Sequence, residues 1–193
     1  MLHVVSAVPV AVFASHGADT ATQAADTATQ PADTGVHWII GSVSDVRLAG
    51  ATRLPDGVWV RGRGLRHPRN DGERPDYGLY LGGHGLRARH EPSLTWPHDW
   101  VFWRDGLLPG DWAATADRLL ACHARARAGQ SVEIACHGGL GRTGTAIACL
   151  ATLSGLSPRA AVRWTRENYH RRAVEVPWQR RYVSWFARHT AST

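Results

Sequence analysis

The sequence predicts an α/β domain, a central mixed sheet flanked by helices, behind an N-terminal segment without regular structure. Three observations lead there. Short β-rich runs separated by turn residues occupy residues 37 to about 80. A β-branched run at 131–135 passes directly into a glycine-rich stretch and then an uncharged, Ala-rich one. Further helical patterns follow, giving the order of a layered fold: strands, helix, strand, loop and three helices.

Taken in order, residues 17–35 repeat the heptad ADTATQA/ADTATQP once and then break off. This polar, Ala-rich stretch has little to bury, so residues 1–35 are expected to be disordered and residues 36–193 to form the domain. Residues 4–14 are apolar, but only His3 precedes them where a secretory signal carries Lys or Arg. A cytoplasmic protein is therefore expected, with secretion the lesser alternative. Strands are expected at 37–40 (HWII), 58–60 (VWV) and 77–81 (YGLYL), and a further one near 100–103. The segment YGLYLGGHG (77–85) lacks the GxGxxG spacing and a Lys, so it reads as a core strand and a turn.

Asp111 caps a helix expected from Trp112 to about Ala128, and Gly129 stops it. SVEIA (131–135) reads as a buried strand. TGTAIACLATL (143–153) reads as a buried helix ended by Gly155. Ser157 and Pro158 start a helix reaching about Tyr169, and Pro177 starts the last one, over 178–189.

The bulk numbers set bounds. A chain of 193 residues suits one domain with a real core, and nine Trp supply material for it. The net charge is +6, and every one of the 22 basic residues is Arg. That skew, with abundant Ala and Gly, is compositional and weakens a nucleic-acid reading. A basic surface still attracts acidic partners, phosphorylated ones included. No stretch is long enough to span a membrane. Three cysteines, Cys122, Cys136 and Cys149, make no disulfide framework and show no zinc spacing. No metal is assigned, and the count fits a reducing compartment.

The chemistry concentrates at Cys136-His137-Gly138-Gly139-Leu140-Gly141-Arg142-Thr143-Gly144, between a strand and a helix. Cys136 and Arg142 are six apart, with four glycines within or just after the span. Glycine permits positive φ, so successive N–H groups of 137–142 can point at one centre. The helix behind adds unsatisfied donors and its positive end. Such a cradle binds phosphate and favours a thiolate at Cys136. Arg142 can grip two phosphate oxygens with its planar fork. Thr143 can donate its hydroxyl to the sulfur and stabilise it as a leaving group.

This run resembles the signature of the protein-tyrosine phosphatase superfamily, H-C-x5-R-[ST], and GLGRTGTAIA is close to its compact dual-specificity branch and bacterial relatives. The resemblance covers roughly residues 95–186 and is most specific at 131–150. It implies a protein-tyrosine-phosphatase-like sheet flanked by helices, a phosphocysteine intermediate, no metal or other cofactor, and a phosphorylated protein as substrate. The sequence departs from the pattern at Ala135, where the family carries a His that helps to set the thiolate and the loop. The resemblance also implies a general acid on a mobile loop about thirty residues before the Cys. Trp103-Arg104-Asp105-Gly106-Leu107-Leu108-Pro109 resembles that loop, with Arg104 where Pro is common, and Asp105 precedes Cys136 by 31 residues. Asp99 and Asp111 compete, but Asp111 is better used as a cap and Asp99 is expected before the strand.

Other residues have weaker claims. Gln179 sits where some family members place a Gln that orients the hydrolytic water; otherwise it is an exposed residue of the last helix's first turn. Cys122 forms a regulatory disulfide with Cys136 if some relatives are a guide, and is a buried thiol otherwise. Cys149 reads as packing. Glu133 and Asp117 show no partner in sequence and read as structural. Arg171 and Arg172 either contact a phosphoprotein or form a solvated face.

The main expectation is a phosphatase for phosphotyrosine, with phosphoserine or phosphothreonine open. A phosphate-binding module without turnover and a rhodanese-like sulfurtransferase are the alternatives. Neither nucleic acid nor membrane is expected as a partner, and the sequence carries no signal for oligomeric state.

Overall fold

The computed structural model describes residues 47–68 and 73–192. All of these belong to one unit, Gly41–Thr193. The strand expected at 37–40, the heptad repeat and the apolar run at 4–14 lie outside the described residues.

Five strands form one mixed sheet: β1 (Ala51–Arg53), β2 (Trp59–Gly64), β3 (Tyr77–Gly82), β4 (His98–Phe102) and β5 (Val132–Cys136). Their order is β1-β2-β5-β3-β4; only the β1–β2 pair is antiparallel. β5 is thus central, between β2 and β3, and the three end together, with Cys136 opposite Gly64 on one side and Leu81 on the other. In parallel sheets of this kind, loops at the carboxyl ends of the strands build the site.

The strand period of two divides β5 between two faces. Val132, Ile134 and Cys136 join the main core with Leu79, Leu81, Ala146, Ile147 and Phe186. That core is closed by α2 (Trp112–Arg127), α3 (Gly141–Thr152), α4 (Pro158–Asn168) and α5 (Pro177–Ala191). Ala135 faces the other way, into a small apolar cluster with Leu65, Tyr80, Leu94 and Trp96 under α1 (His84–His90). The position that carries His in the family signature is therefore a fully buried methyl group here.

The expected caps form. Asp111 accepts from the Ala114 N–H at 2.9 Å, and Ser157 from the Ala160 N–H at 3.3 Å with Pro158 in the first turn. Four details differ from the sequence expectations. A short strand, β1, precedes β2. Residues after Gly83 form α1 rather than a turn, with no buried residue on that helix. Asp99 lies within β4, not before it, and its carboxylate accepts from the Tyr77 hydroxyl at 2.7 Å and pairs with Arg118 at 3.1 Å. Glu133, which showed no partner in sequence, is fully buried between Arg63 (3.0 Å) and the Tyr80 hydroxyl (3.0 Å). An Arg61 nitrogen lies 2.7 Å from the same carboxylate, out of line for a hydrogen bond. A carboxylate taken out of water survives only with such partners. Burial, and the Glu133 charge beside it, push the Tyr80 hydroxyl up.

Candidate active site

Residues 137–140 form a tight turn from β5 into α3, and contact on several sides holds it. Gly139 has φ +77°, and a Cβ there would stand 2.6 Å from the Gly64 backbone nitrogen. Only glycine meets both demands. A Cβ at Gly144 would stand 2.6 Å from the Ala173 methyl, and one at Gly141 would collide with the Glu175 carboxylate. The turn after β2 adds two backbone bonds, Leu65 N–H to the Cys136 carbonyl at 2.8 Å and Arg66 N–H to the His137 carbonyl at 3.1 Å.

Cys136 is 2 % exposed, and its Sγ accepts from the Gly139 N–H at 3.2 Å. Leu140, the residue capping α3, offers no side-chain cap, so the helix presents its first-turn donors and positive end to the turn. Arg142 is buried on α3. One terminal nitrogen donates to the Trp103 carbonyl at 2.9 Å, and the other meets Asp105 at 2.7 Å. Its Nε is buried with no protein partner. Thr143 is fully buried, and its hydroxyl makes no hydrogen bond; the expected bond to the sulfur is not formed.

Asp105 lies on the loop leaving β4, with its side chain 78 % exposed. The loop is tied at three points besides Arg142: Trp103 Nε1 donates to the Leu107 carbonyl at 2.8 Å, Trp178 Nε1 donates to the Gly106 carbonyl at 2.7 Å, and Trp103 bridges Pro109. Trp103 itself is fully buried. Of the three competing carboxylates, Asp105 alone meets Arg142; Asp111 caps α2 and Asp99 pairs with Arg118 of α2. A cleft of about 650 Å³ opens beside these groups, lined among others by Leu86, Arg89, Arg104, Asp105, His137 and Arg142.

Gln179 is buried, not exposed as its place in the first turn suggested. Its Oε1 accepts from the Val176 N–H at 3.4 Å, closing the start of α5, while its Nε2 lies against Gly141. Cys122, Cys136 and Cys149 are all free thiols. Burial pushes Cys122 up to about 12 and Cys149 well above its ordinary value, so neither is a ready nucleophile.

Two residues escaped the sequence reading. Tyr169, at the end of α4, donates its hydroxyl to the Gly139 carbonyl, and its ring covers Gly62. Because a trans peptide points its C=O and N–H apart, holding that carbonyl outward turns the Leu140 N–H inward. Burial and the nearby Cys136 push the Tyr169 hydroxyl up, keeping it a donor. Trp178, 42 % exposed, grips the Asp105 loop. Neither has a local sequence signal, since each acts across a fold-dependent distance.

Residues 112–190 match the family model described as PTP-SAK, Swiss Army Knife protein, DSP-PTPase phosphatase domain. No curated protein matches the chain. Among solved structures, kinase associated phosphatase with its catalytic-site cysteine substituted by serine is similar at TM-score 0.60 and 16 % identity, over 75 % of this chain and 96 % of that one. Tk-PTP in the active form is similar at TM-score 0.57 and 21 % identity, over 72 % and 97 %. PTPMT1 in complex with PI(5)P is similar at TM-score 0.50 and 15 % identity, over 61 % and 80 %. The chain thus shares its α/β fold with these phosphatases, and the DSP-PTPase family match spans α2–α5.

Proposed function

We propose that this protein is an active cysteine-dependent phosphatase that hydrolyses phosphomonoesters on proteins, phosphotyrosine first and phosphoserine or phosphothreonine in addition. Phosphate sits in the turn 137–142, with the α3 amides and Arg142 around it. The sulfur of Cys136 attacks phosphorus as thiolate. The P–O bond to the leaving group breaks, and Asp105 gives its proton to the departing oxygen. Water then attacks the phosphocysteine, Asp105 takes the water's proton, and the S–P bond breaks to return the thiolate and release phosphate. In this reading the Thr143 hydroxyl, which has no hydrogen-bond partner among the described residues, turns to the sulfur as it leaves, and the Gln179 Nε2 orients the water.

The observation that carries this assignment is the convergence of Cys136, Arg142 and Asp105 at one end of the sheet. Asp105 pairs with Arg142. That pair is exposed at the acid and so weakly held. A phosphate dianion, bidentate on the guanidinium and reaching the unpartnered Nε, displaces it and frees the acid for the leaving group. A phosphate reader without turnover needs neither the thiol nor the acid, and a sulfurtransferase does not need Asp105. No helix among the described residues is long and apolar enough to cross a membrane, and we take the protein to work in the cytoplasm, where the thiol stays reduced.

Hydrolysis of p-nitrophenyl phosphate and sulfur transfer from thiosulfate separate the three readings. Phosphatase activity that persists in chelator and is lost in Cys136→Ser, with phosphate binding retained, is the expected result. Full activity in Cys136→Ser rules it out, and so does activity on thiosulfate alone.

A further inference from the structure

Ala135 removes the polar group that the family signature places before the cysteine, yet the same face of β5 carries another one two residues earlier. Glu133 and Ala135 share that face through the strand period of two. Ala135 is flanked across the sheet by Arg63 of β2 and Tyr80 of β3. Both of these donate to the Glu133 carboxylate. Arg63 uses Nε on one oxygen at 3.0 Å and Nη2 on the other at 3.4 Å, and Tyr80 uses its hydroxyl at 3.0 Å. The third Arg63 nitrogen, Nη1, leaves the pair and donates to the His67 carbonyl at 3.0 Å. Arg61 meets the same carboxylate and Glu73, but makes no bond to the turn after β2.

The His67 carbonyl belongs to a turn that touches the cysteine. His67 N–H donates back to the Gly64 carbonyl at 3.1 Å, closing residues 64–67. Leu65 N–H and Arg66 N–H hold the Cys136 and His137 carbonyls at 2.8 and 3.1 Å. A trans peptide points its C=O and N–H apart, so these two bonds turn the His137 and Gly138 N–H groups away from the turn after β2. A chain of contacts therefore runs from a fully buried carboxylate, through one guanidinium, to the first two amides after the cysteine.

We propose that Arg63 and Glu133 are positioning residues of the active site: their ion pair locks the turn 64–67, which aims the His137 and Gly138 amides at the phosphate. Neither residue touches substrate. The pair takes over, from the neighbouring strand, the loop-setting task that the family gives to the residue at position 135. The inference rests on the phosphatase reading of Cys136 and adds to it the part of the protein that orients the first half of the cradle. A planar fork suits the task, because one side chain serves both carboxylate oxygens and the His67 carbonyl in fixed directions, which an ammonium does not. Donors fixed in this way before the phosphate arrives need no rearrangement during reaction.

Glu133→Ala would strand buried guanidinium groups, so the test substitutes Arg63, whose side chain is 14 % exposed, with Arg61 as control. Arg63→Lys is expected to lower kcat on p-nitrophenyl phosphate about tenfold with KM changed less, and to speed amide hydrogen exchange at Leu65 and Arg66 about tenfold. Arg61→Lys, beside the same carboxylate, is expected to lower the melting temperature at least as much while leaving kcat and those two amides near their unsubstituted values. Equal losses of kcat in the two variants would mean that Glu133 serves stability alone. Unchanged kcat and exchange in Arg63→Lys would mean that the turn needs no brace. Either result overturns the proposal. Absence of p-nitrophenyl phosphate turnover in the unsubstituted protein would refute the phosphatase reading instead, and the exchange comparison would still judge the brace.

Discussion

The two loops that meet at Arg142 are built in opposite ways. The phosphate turn is walled in: Gly139 against Gly64, Gly144 against Ala173, Gly141 against Glu175, and Tyr169 on its outer carbonyl. The Asp105 loop is exposed from Arg104 to Leu107 and hangs on a few hydrogen bonds from Trp103, Trp178 and Arg142. If the turn aims several amides at one phosphate, as proposed, it gains from being immobile, because preorganised dipoles need no rearrangement during reaction. On the proposed mechanism the Asp105 loop first pairs with the arginine and then serves the leaving group, which requires motion, and movable segments are the weakly tied ones.

Substitutions can break or sharpen this contrast. The largest expected effect is at the mobile side's one chemical group: Asp105→Asn should lower kcat by about 10²–10⁴ on substrates with poor leaving groups, and much less on p-nitrophenyl phosphate. If Asp111→Asn does this instead, the acid is misassigned. Next is the immobile side. Gly139→Ala places a methyl group against backbone in a left-handed residue, which alone costs about 1–2 kcal/mol. Melting should fall by about 2–4 °C per kcal/mol lost, and turnover by more than about tenfold. Tyr169→Phe removes one hydrogen bond, worth about 1 kcal/mol, from the turn. kcat should drop about five- to tenfold with KM changed less, because the amide aimed by that bond matters most in the transition state. Equal changes in both would reduce Tyr169 to ground-state binding. Smallest is Trp178→Phe, which frees Gly106 from α5: a change of about two- to fivefold in kcat, with melting little altered. A large loss of melting temperature there would mean that the Asp105 loop is structural rather than mobile.

The same contrast explains what the sequence disclosed. The glycine-rich turn from strand to helix was legible because its demands are local: a strand, four glycines with Cys136 and Arg142 six apart, then a helix. The α/β class, the Asp111 and Ser157 caps and the start of α5 were legible for the same reason. Asp105 was singled out by the family resemblance of its loop, but its partner Arg142 could not be foreseen from any local feature. Tyr169, Trp178 and the arginines around Glu133 were invisible because each bond spans 30 to 72 residues along the chain. Gln179 went astray on exposure, since a first-turn position says nothing about which way α5 rolls against α3. β1 is a three-residue strand with no alternation to detect, and α1 buries nothing and so has no apolar stripe.

The most direct measurement is a rapid quench of Asp105→Asn during turnover of a phosphotyrosine peptide, followed by mass analysis of the digested protein. A single added phosphoryl group on the peptide containing Cys136, appearing and decaying at rates consistent with turnover, is the expected result. Phosphate release with that peptide never labelled, or labelled on His137 instead of Cys136, would contradict the account.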